Sequence, residues 1–285
     1  MTRTLVVGPG RVGRSLALAH HRNGDEVRLV GRSAGEWQDW ARAEGIGETL
    51  SLEACRDFRP ELVVLAVPDQ DVEQAAAACA EHLDCDGVVF VHVSGIHDLD
   101  VLKAATLEGG FPAAMHPVLQ FVEPERDLKA LRHAVVVVTA APNAREETLR
   151  IAQVWGAQPV RLKPGVDRRR YHLGLALASN HLTALLAWAA ELLEPAFGEE
   201  SWDVVALLAR QAMVEARNRG PFAALTGPVA RGDVETVREH LEGLDEDERR
   251  RYAALLDVVV DLAERSRRLD ADRARELRAL AGRFA

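Results

Sequence analysis

LVVGPGRVG, residues 5 to 13, is the stretch that decides the fold of this chain. It puts an apolar strand directly before a turn of the form Gly8-x-Gly10-x-x-Gly13, and a helical pattern follows from Ser15 to His20. In such a turn the three glycines permit the bend, let a pyrophosphate approach the backbone and let the helix pack on the strand, while the helix N-terminus attracts phosphate. The stretch therefore predicts a dinucleotide site formed by Gly8, Pro9, Gly10, Arg11, Val12 and Gly13.

The second strand indicates which dinucleotide is bound. Residues 26 to 30 read as a strand that ends in Gly31-Arg32-Ser33. An NAD site favours a carboxylate on the ribose at about 20 residues beyond the turn, whereas an arginine there suits a ribose 2′-phosphate. The sequence offers no carboxylate within reach of Arg32. We therefore expect Arg32 and Ser33 to bind NADP.

Composition narrows the function classes. The chain has 285 residues, of which 48% are hydrophobic and 28% charged, which predicts a soluble protein of about two domains. Its net charge of −9 argues against a general nucleic-acid surface, which needs a basic stripe. The three cysteines show neither Cys-x-x-Cys nor a metal-type Cys/His spacing, so we expect no metal site and a reducing cytoplasm. We also expect no signal segment, because the first apolar run is a strand broken by glycine.

One apolar segment is almost long enough to cross a membrane. Residues 173 to 190 contain no Asp, Glu, Lys or Arg. They do contain Ser179, Asn180, His181 and Thr183, which are costly in lipid. We therefore expect no membrane partner, and a helix that is buried in a core or in a subunit interface.

The pattern of elements changes once along the chain. Strands and helices alternate as far as Leu162, which predicts a doubly wound α/β sheet with right-handed crossovers. From Asp167 onward only helices are predicted, the first over 168–193, and the last places Leu277, Leu280, Ala281 and Phe284 on one face. The sequence thus predicts a dinucleotide-binding Rossmann domain over 1–166 and an all-helical substrate and dimerisation domain over 167–285.

Several short motifs are spread over nearly the whole chain. They are Gly8-Pro9-Gly10-Arg11-Val12-Gly13, Ala66-Val67-Pro68-Asp69, His92-Val93-Ser94-Gly95, His116-Pro117, Tyr171-His172, Ala178-Ser179-Asn180 and Leu225-Thr226-Gly227-Pro228 followed by Arg231-Gly232-Asp233. Together they resemble the bacterial Rossmann-like proteins that carry domain of unknown function 2520. That family is similar in plan to pyrroline-carboxylate reductase, to the F420-dependent NADP oxidoreductases and, more distantly, to the hydroxyacid dehydrogenases of the 6-phosphogluconate dehydrogenase type. The resemblance implies an NADP-binding domain followed by a helical domain that commonly dimerises.

Ligands of open α/β sheets lie beyond the carboxyl ends of the strands. We therefore expect Val67, Pro68 and Asp69 to contact the cofactor, and Ser94 and Gly95 to lie at the mouth of a substrate site. Asp69 and Ser94 are equally consistent with helix or turn caps. His92 lies inside a predicted strand, where a hydrogen-bonded core histidine is the expected outcome.

His116-Pro117 is predicted to lie in a loop, because Gly109-Gly110-Phe111-Pro112 precedes it. Polar residues on such loops often carry function. The segment is similar to the His-Pro stretch of prephenate dehydrogenases. However, their Ser-Val-Lys after the preceding strand is replaced here by Ser94-Gly95-Ile96.

The first helix of the second domain is predicted to form the other wall of the site. At 100° per residue, His172, Ala176 and Ser179 share one stripe, with Asn180 beside it. The similar hydroxyacid dehydrogenases place a Lys one turn before their Asn, and here Ala176 occupies that position. We therefore expect His172 to donate the proton and Asn180 to orient the substrate, the alternative being a structural histidine at the domain junction.

A constrained loop before the helix that starts at Val234 completes the candidate site. Arg231 is predicted to bind a substrate carboxylate or phosphate, and Asp233 to cap the helix.

The sequence is consistent with two classes of function. The first is an NADP-dependent oxidoreductase that acts on a C=O or C=N group of a small carboxylated substrate, with His116 as second candidate for the proton. The second is an NADP(H)-binding sensor without hydride transfer, and a prephenate-dehydrogenase-like enzyme is a further alternative.

Overall fold

One mostly parallel sheet organises the N-terminal part of the chain. The computed structural model describes residues 1–283, and within them eight strands form a sheet of order β3-β2-β1-β4-β5-β6-β7-β8. Neighbouring strands are parallel except β6 and β7, which are antiparallel. The strands are β1 Arg3–Val7, β2 Glu26–Val30, β3 Gly47–Thr49, β4 Leu62–Leu65, β5 Val89–His92, β6 Phe111–Pro117, β7 Val135–Ala140 and β8 Gln158–Arg161.

Helices cover both faces of this sheet. Strand β4 is buried at every residue, as expected where both faces of a parallel strand are packed. One apolar cluster contains Leu16, Leu29 and Met115, and the other contains Leu5, Val63 and Phe90. The helices of this part are α1 Arg11–Arg22, α2 Glu36–Glu44, α3 Val72–His82, α4 Lys103–Leu107, α5 Pro124–Leu131, α6 Arg145–Trp155 and α7 Arg168–Ala176.

The predicted doubly wound α/β fold is confirmed, but two strands were missed. Strand β3 has only three residues. Strand β6 contains His116, so the prediction that His116 lies in a loop was wrong. Pro112 and Pro117 suggested a break, yet β6 bonds β5 on one side and β7 on the other, and these pairings determine its conformation.

The compact units of the chain divide between His181 and Leu182, later than the predicted boundary near 166. Helix α7 belongs to the first unit, and it contacts the sheet. Arg168 Nη2 donates a hydrogen bond of 2.6 Å to Thr139 Oγ1 on β7, and Tyr171 Oη lies 2.9 Å from His116 Nδ1 on β6.

The single helix predicted over 168–193 is interrupted. A π-helical turn over Leu177–His181 separates α7 from α8, Leu182–Phe197. Because a π turn has wider spacing than an α turn, the 100° step from His172 does not hold through Ser179 and Asn180. The predicted stripe of these residues was therefore wrong in its geometry.

The second unit consists of helices in its described part. A small core contains Val237, Leu256 and Leu277, and Asp233 Oδ1 accepts a hydrogen bond from the Thr236 amide, which confirms the predicted cap. Phe284, predicted on the last apolar face, lies outside the described residues. After α8 the helices are α9 Ser201–Arg219, α10 Pro221–Ala224, α11 Pro228–Arg231, α12 Val234–Glu242, α13 Glu246–Arg265 and α14 Ala271–Ala281.

Helix α8 is the main departure from the expected packing. None of its residues is buried, so the prediction of a helix inside the core of this chain was wrong. The helical stretch Arg168–Arg219 is long and apolar enough to cross a membrane by length and composition, with a mean hydropathy of 1.3 in its most apolar window. Its apolar side chains, among them Leu192 and Leu208, are solvent-exposed in the monomer.

Candidate functional site

The glycine turn after β1 has the geometry that a dinucleotide needs. Gly8 has φ +104°, and a Cβ on Gly8 or Gly13 would overlap the carbonyl oxygen of Ala66 or of Gly8, respectively. Gly10 is different, because no heavy atom lies within 4 Å of the position of its Cβ. Gly10 caps α1 without a side chain, so the first amides of α1 remain available to an anion. The turn is therefore tightly packed at Gly8 and Gly13 and open at Gly10.

A cleft of about 680 Å³ opens in front of this turn. Its walls come from the ends of β1, β2 and β4, together with Trp37 of α2, residues 50–53 and one side of α3. This is the carboxyl edge of the parallel strands, where open α/β sheets bind ligands. Of the predicted cofactor residues, those that line the cleft are Gly8, Pro9, Gly10, Arg32, Ser33, Val67 and Pro68.

Arg32 has a carboxylate partner that the sequence did not reveal. Its Nη2 lies 2.8 Å from Asp71 Oδ2, and both residues line the cleft. The expectation that no carboxylate lies within reach of Arg32 was therefore wrong, because the turn after β4 brings Asp71 across the cleft. The Arg32 side chain is 78% exposed, so this ion pair is weak and open to exchange.

A second cluster lies after β5 and at the end of β6. A Cβ on Gly95 would lie 2.7 Å from His172 Cδ2 and 3.0 Å from His116 Nε2. The ring centroids of His116 and His172 are 6.2 Å apart, and Tyr171 Oη lies 2.9 Å from His116 Nδ1. Two candidate catalytic histidines thus meet over one glycine. Sequence reasoning missed Tyr171, although its position next to His172 was a signal.

Burial decides the charge state of His116. The pKa of His116 is lowered to about 4, mainly by desolvation and to a lesser extent by the nearby His172 and Arg168, while Asp69 acts in the opposite direction. Burial also raises the pKa of Tyr171, with Arg168 acting against it. At neutral pH the pair therefore consists of a neutral imidazole and a neutral phenol.

The other predicted site residues have varied surroundings. Ser94 Oγ accepts from the Ile96 and His97 amides, each at 3.3 Å, which is the turn-capping role. Asp69 is exposed and its carboxylate caps no helix, while its carbonyl accepts from His97. Ser179 Oγ lies 2.7 Å from Asn180 Oδ1 in the π turn. Arg231, in the second unit, is largely exposed and lies 3.9 Å from Asp233.

His92 has the structural role that the sequence predicted. It is fully buried, and its Nε2 lies 3.1 Å from the carbonyl oxygen of Asp98. Burial lowers the pKa of His92 to about 4. An unfolded histidine has a pKa near 6.5, so between pH 6.5 and pH 4 the unfolded chain binds more protons than the folded chain. The free energy of unfolding therefore falls as pH falls through this window.

We expect the free energy of unfolding to be lower at pH 5 than at pH 7.5, with His92 alone contributing about 2 kcal/mol of the difference. Urea denaturation at the two pH values measures it. His92→Gln, which keeps a donor for Asp98, should remove that share of the pH dependence, and His133→Gln on the surface is the matched control. An unchanged pH dependence in His92→Gln would contradict the assignment.

Comparison with known proteins agrees with this architecture. Residues 3–117 match the Rossmann-like domain family, and residues 134–258 match the family described as domain of unknown function DUF2520. The two matches follow each other along the chain in the order that its motifs indicated. The DUF2520 match begins before β7 and so includes strands of the sheet as well as helices. No curated protein sequence matches the chain.

Solved structures share the fold at low sequence identity. A putative NADP oxidoreductase from Bacteroides fragilis is 20% identical with a TM-score of 0.73, over 93% of this chain and 97% of that one. A reductive aminase from Aspergillus terreus, solved with NADPH and ethyl-5-oxohexanoate, is 15% identical with a TM-score of 0.64, over 99% and 93%. Pyrroline-5-carboxylate reductase from Coxiella burnetii is 11% identical with a TM-score of 0.59, over 97% and 98%.

Proposed function

We propose that this chain is an NADP-dependent oxidoreductase that acts on a C=O or C=N group of a small carboxylated substrate. One observation carries the proposal. The glycine-turn cleft ends at β4, and beside it Gly95, which follows β5, lies close to His116 of β6 and His172 of α7. Tyr171 of α7 is within hydrogen-bond distance of His116. Acid–base side chains from β6 and α7 thus lie next to a dinucleotide cleft, at the sheet edge where such folds bind their ligands.

The residues of the cleft fit NADP. The open space at Gly10 and the uncapped N-terminus of α1 suit a pyrophosphate. Arg32 supplies a cation for the ribose 2′-phosphate, which would replace Asp71 as its partner. When bound, the nicotinamide supplies or accepts a hydride. The remaining chemistry falls to the side chains over Gly95.

His116 is suited to orient the group that reacts. If Tyr171 donates its hydroxyl proton to His116 Nδ1, the ring proton of the neutral imidazole is on Nε2, the atom that approaches Gly95. From there Nε2–H can donate to a carbonyl oxygen or an imine nitrogen. Tyr171 thus acts as a positioning residue that fixes the His116 tautomer.

His172 is the proposed proton donor. In the reduction direction, hydride adds to the carbon, the π electrons of the C=O or C=N bond move to the heteroatom, and the heteroatom takes a proton from the His172 ring. Oxidation is the reverse, with His172 as base. Asn180 and Ser179 as orienting groups remain part of the proposal.

Deuterium transfer tests the proposed reaction. The protein is incubated with NADPH that carries deuterium at nicotinamide C4, together with a panel of 2-oxo acids and cyclic imino acids. Stereospecific appearance of deuterium in any product supports the oxidoreductase. Turnover of prephenate with NADP⁺ would instead support the prephenate-dehydrogenase-like alternative. NADPH binding without transfer to any compound would contradict hydride chemistry and favour the sensor.

The proposed cofactor preference gives a separate prediction. We expect NADPH to bind more tightly than NADH by about 1.5–3 kcal/mol, the contribution of hydrogen bonds between Arg32 and the 2′-phosphate. Arg32→Asp should abolish or reverse the preference in fluorescence titrations. Asp71→Asn, which removes the competing carboxylate and keeps Arg32, should retain it. Equal affinities in the unmodified protein would rule out the role of Arg32.

We propose that a second copy of the chain packs against the exposed apolar faces of α8 and α9. Both helices expose apolar side chains, including Leu192, Leu208 and Met213, and Trp188 Nε1 is buried without a partner among the described residues. Helix α8 contains two glutamates and no Lys or Arg, which disfavours an anionic lipid surface. A two-fold axis would let the same apolar faces cover each other.

We expect a homodimer at micromolar concentration by light scattering. Leu208→Glu together with Met213→Glu should produce monomers, because each places a charge in the apolar face. Leu107→Glu, at an exposed leucine of the first unit, is the control and should leave the dimer intact. A monodisperse monomer of the unmodified chain, or its flotation with vesicles, would contradict the dimer.

A further inference from the structure

A second cleft, of about 640 Å³, lies along the last two strands of the sheet. Its walls are the ends of β7 and β8, the first half of α6, the segment 162–166 and Arg168 of α7. Neither the glycine turn nor His116 and His172 belong to its lining. The volume is that of a site for a small metabolite. The cleft is thus separate from the two sites described above.

The charges that line this cleft are mostly positive. Four cations face one carboxylate, Asp98, although the whole chain has a net charge of −9. Within residues 1–283, Arg168 is the only one of the four cations in an ion pair, and that pair is long, with Nε 3.6 Å from Asp98 Oδ1. The other three are Arg145, Arg161 and Lys163.

Arg168 makes this more than a group of surface cations. Its side chain is only 6% exposed, and it donates a hydrogen bond of 2.6 Å to Thr139 Oγ1. A guanidinium has five N–H donors, and a buried one needs acceptors to offset its desolvation. The described surroundings offer it one hydroxyl and one carboxylate that is itself 62% exposed. The Thr139 hydroxyl, which accepts from Arg168, still has its own proton to donate.

We propose that this cleft binds a small molecule with a phosphate group or several carboxylates. Its anionic group lies among Arg161, Lys163 and Arg168 and accepts the Thr139 hydroxyl proton. Charge-assisted hydrogen bonds from arginine and lysine favour such multiply charged groups over chloride. This cleft shares no lining residue with the NADP cleft, so anion binding here can be measured separately from NADP binding.

Calorimetric titration with inorganic phosphate and with citrate tests the site and distinguishes the two kinds of anion. The protein is saturated with NADP⁺ and kept at physiological ionic strength, so that the glycine turn is occupied and weak surface binding is screened. We expect saturable binding of at least one anion, and at least about tenfold weaker binding in the double variant Arg161→Gln and Lys163→Gln. Both side chains are exposed, so the variant should keep the fold.

The double variant Lys103→Gln and Lys129→Gln is the control, since it removes two cations outside the cleft and should bind the anion as the unmodified chain does. Absence of saturable binding of both anions would overturn the proposal, as would equal affinity in the Arg161/Lys163 variant. Phosphate that binds only without NADP⁺ would belong to the glycine turn and would also overturn it. If the chain does not bind NADP⁺, the anion affinities of the two double variants still show whether the anion binds in this cleft.

Discussion

His172→Ala is expected to lower turnover by about 10² to 10⁴, the usual loss when a general acid is removed. The affinity for NADPH should remain nearly unchanged, because His172 lies over Gly95 and not in the cleft of the glycine turn. Single-turnover measurements with deuterated NADPH, together with a titration of NADPH binding, separate the two quantities.

Two further variants refine this assignment. Tyr171→Phe removes only the hydroxyl that contacts His116 and should reduce turnover less than His172→Ala does, whereas His181→Ala, an exposed histidine of the π turn, is the matched control and should retain activity. Turnover of His172→Ala within a factor of a few of the unmodified protein would remove His172 from the mechanism. His116 would then be the remaining candidate donor.

Gly13→Ala is expected to lower the free energy of unfolding by several kcal/mol, on the order of 3–5, because its methyl group would overlap the Gly8 carbonyl and force α1 away from β1. Gly10→Ala should leave the free energy of unfolding nearly unchanged, since space is open at that position. Gly10→Ala should instead weaken NADPH binding strongly, because its methyl group lies where the pyrophosphate approaches. Thermal melts and NADPH titrations of the two variants measure the contrast.

The variants Gly10→Ala and Gly13→Ala test the two proposed roles of the glycine turn separately. If Gly10→Ala binds NADPH as tightly as the unmodified protein, the turn is a strand–helix corner without a pyrophosphate. If Gly13→Ala melts at the temperature of the unmodified protein, the close contact of α1 with Gly8 is not a determinant of stability.

Strands of the sheet could be predicted where a short stretch of sequence was sufficient to indicate them. The run of residues 62 to 65 is apolar throughout, and the glycine turn indicates the strand before it and the helix after it. Strand β6 was not predictable in this way, because it depends on pairing with β5 and β7, which are distant in sequence. The π turn within the first long helix was equally hidden, since residues 177 to 181 carry no Pro or Gly to mark it.

The candidate site was predictable in its residue types and not in its pairings. His116 and His172 were candidates from their motifs, yet only the fold shows that both approach Gly95. The Arg32–Asp71 ion pair joins residues 39 positions apart, and no spacing rule points to it. The burial of Arg168 was not predictable, because it follows from the packing of α7 and not from the neighbours of Arg168 in sequence.

The unburied helix α8 has a thermodynamic consequence. In the proposed dimer, part of the folding free energy is gained only when the second copy covers this helix, so mass action enters the balance between folded and unfolded forms. The stability of the proposed dimer is then a property of its concentration as well as of its sequence. Dilution is therefore expected to lower the free energy of unfolding, as a low concentration of denaturant does.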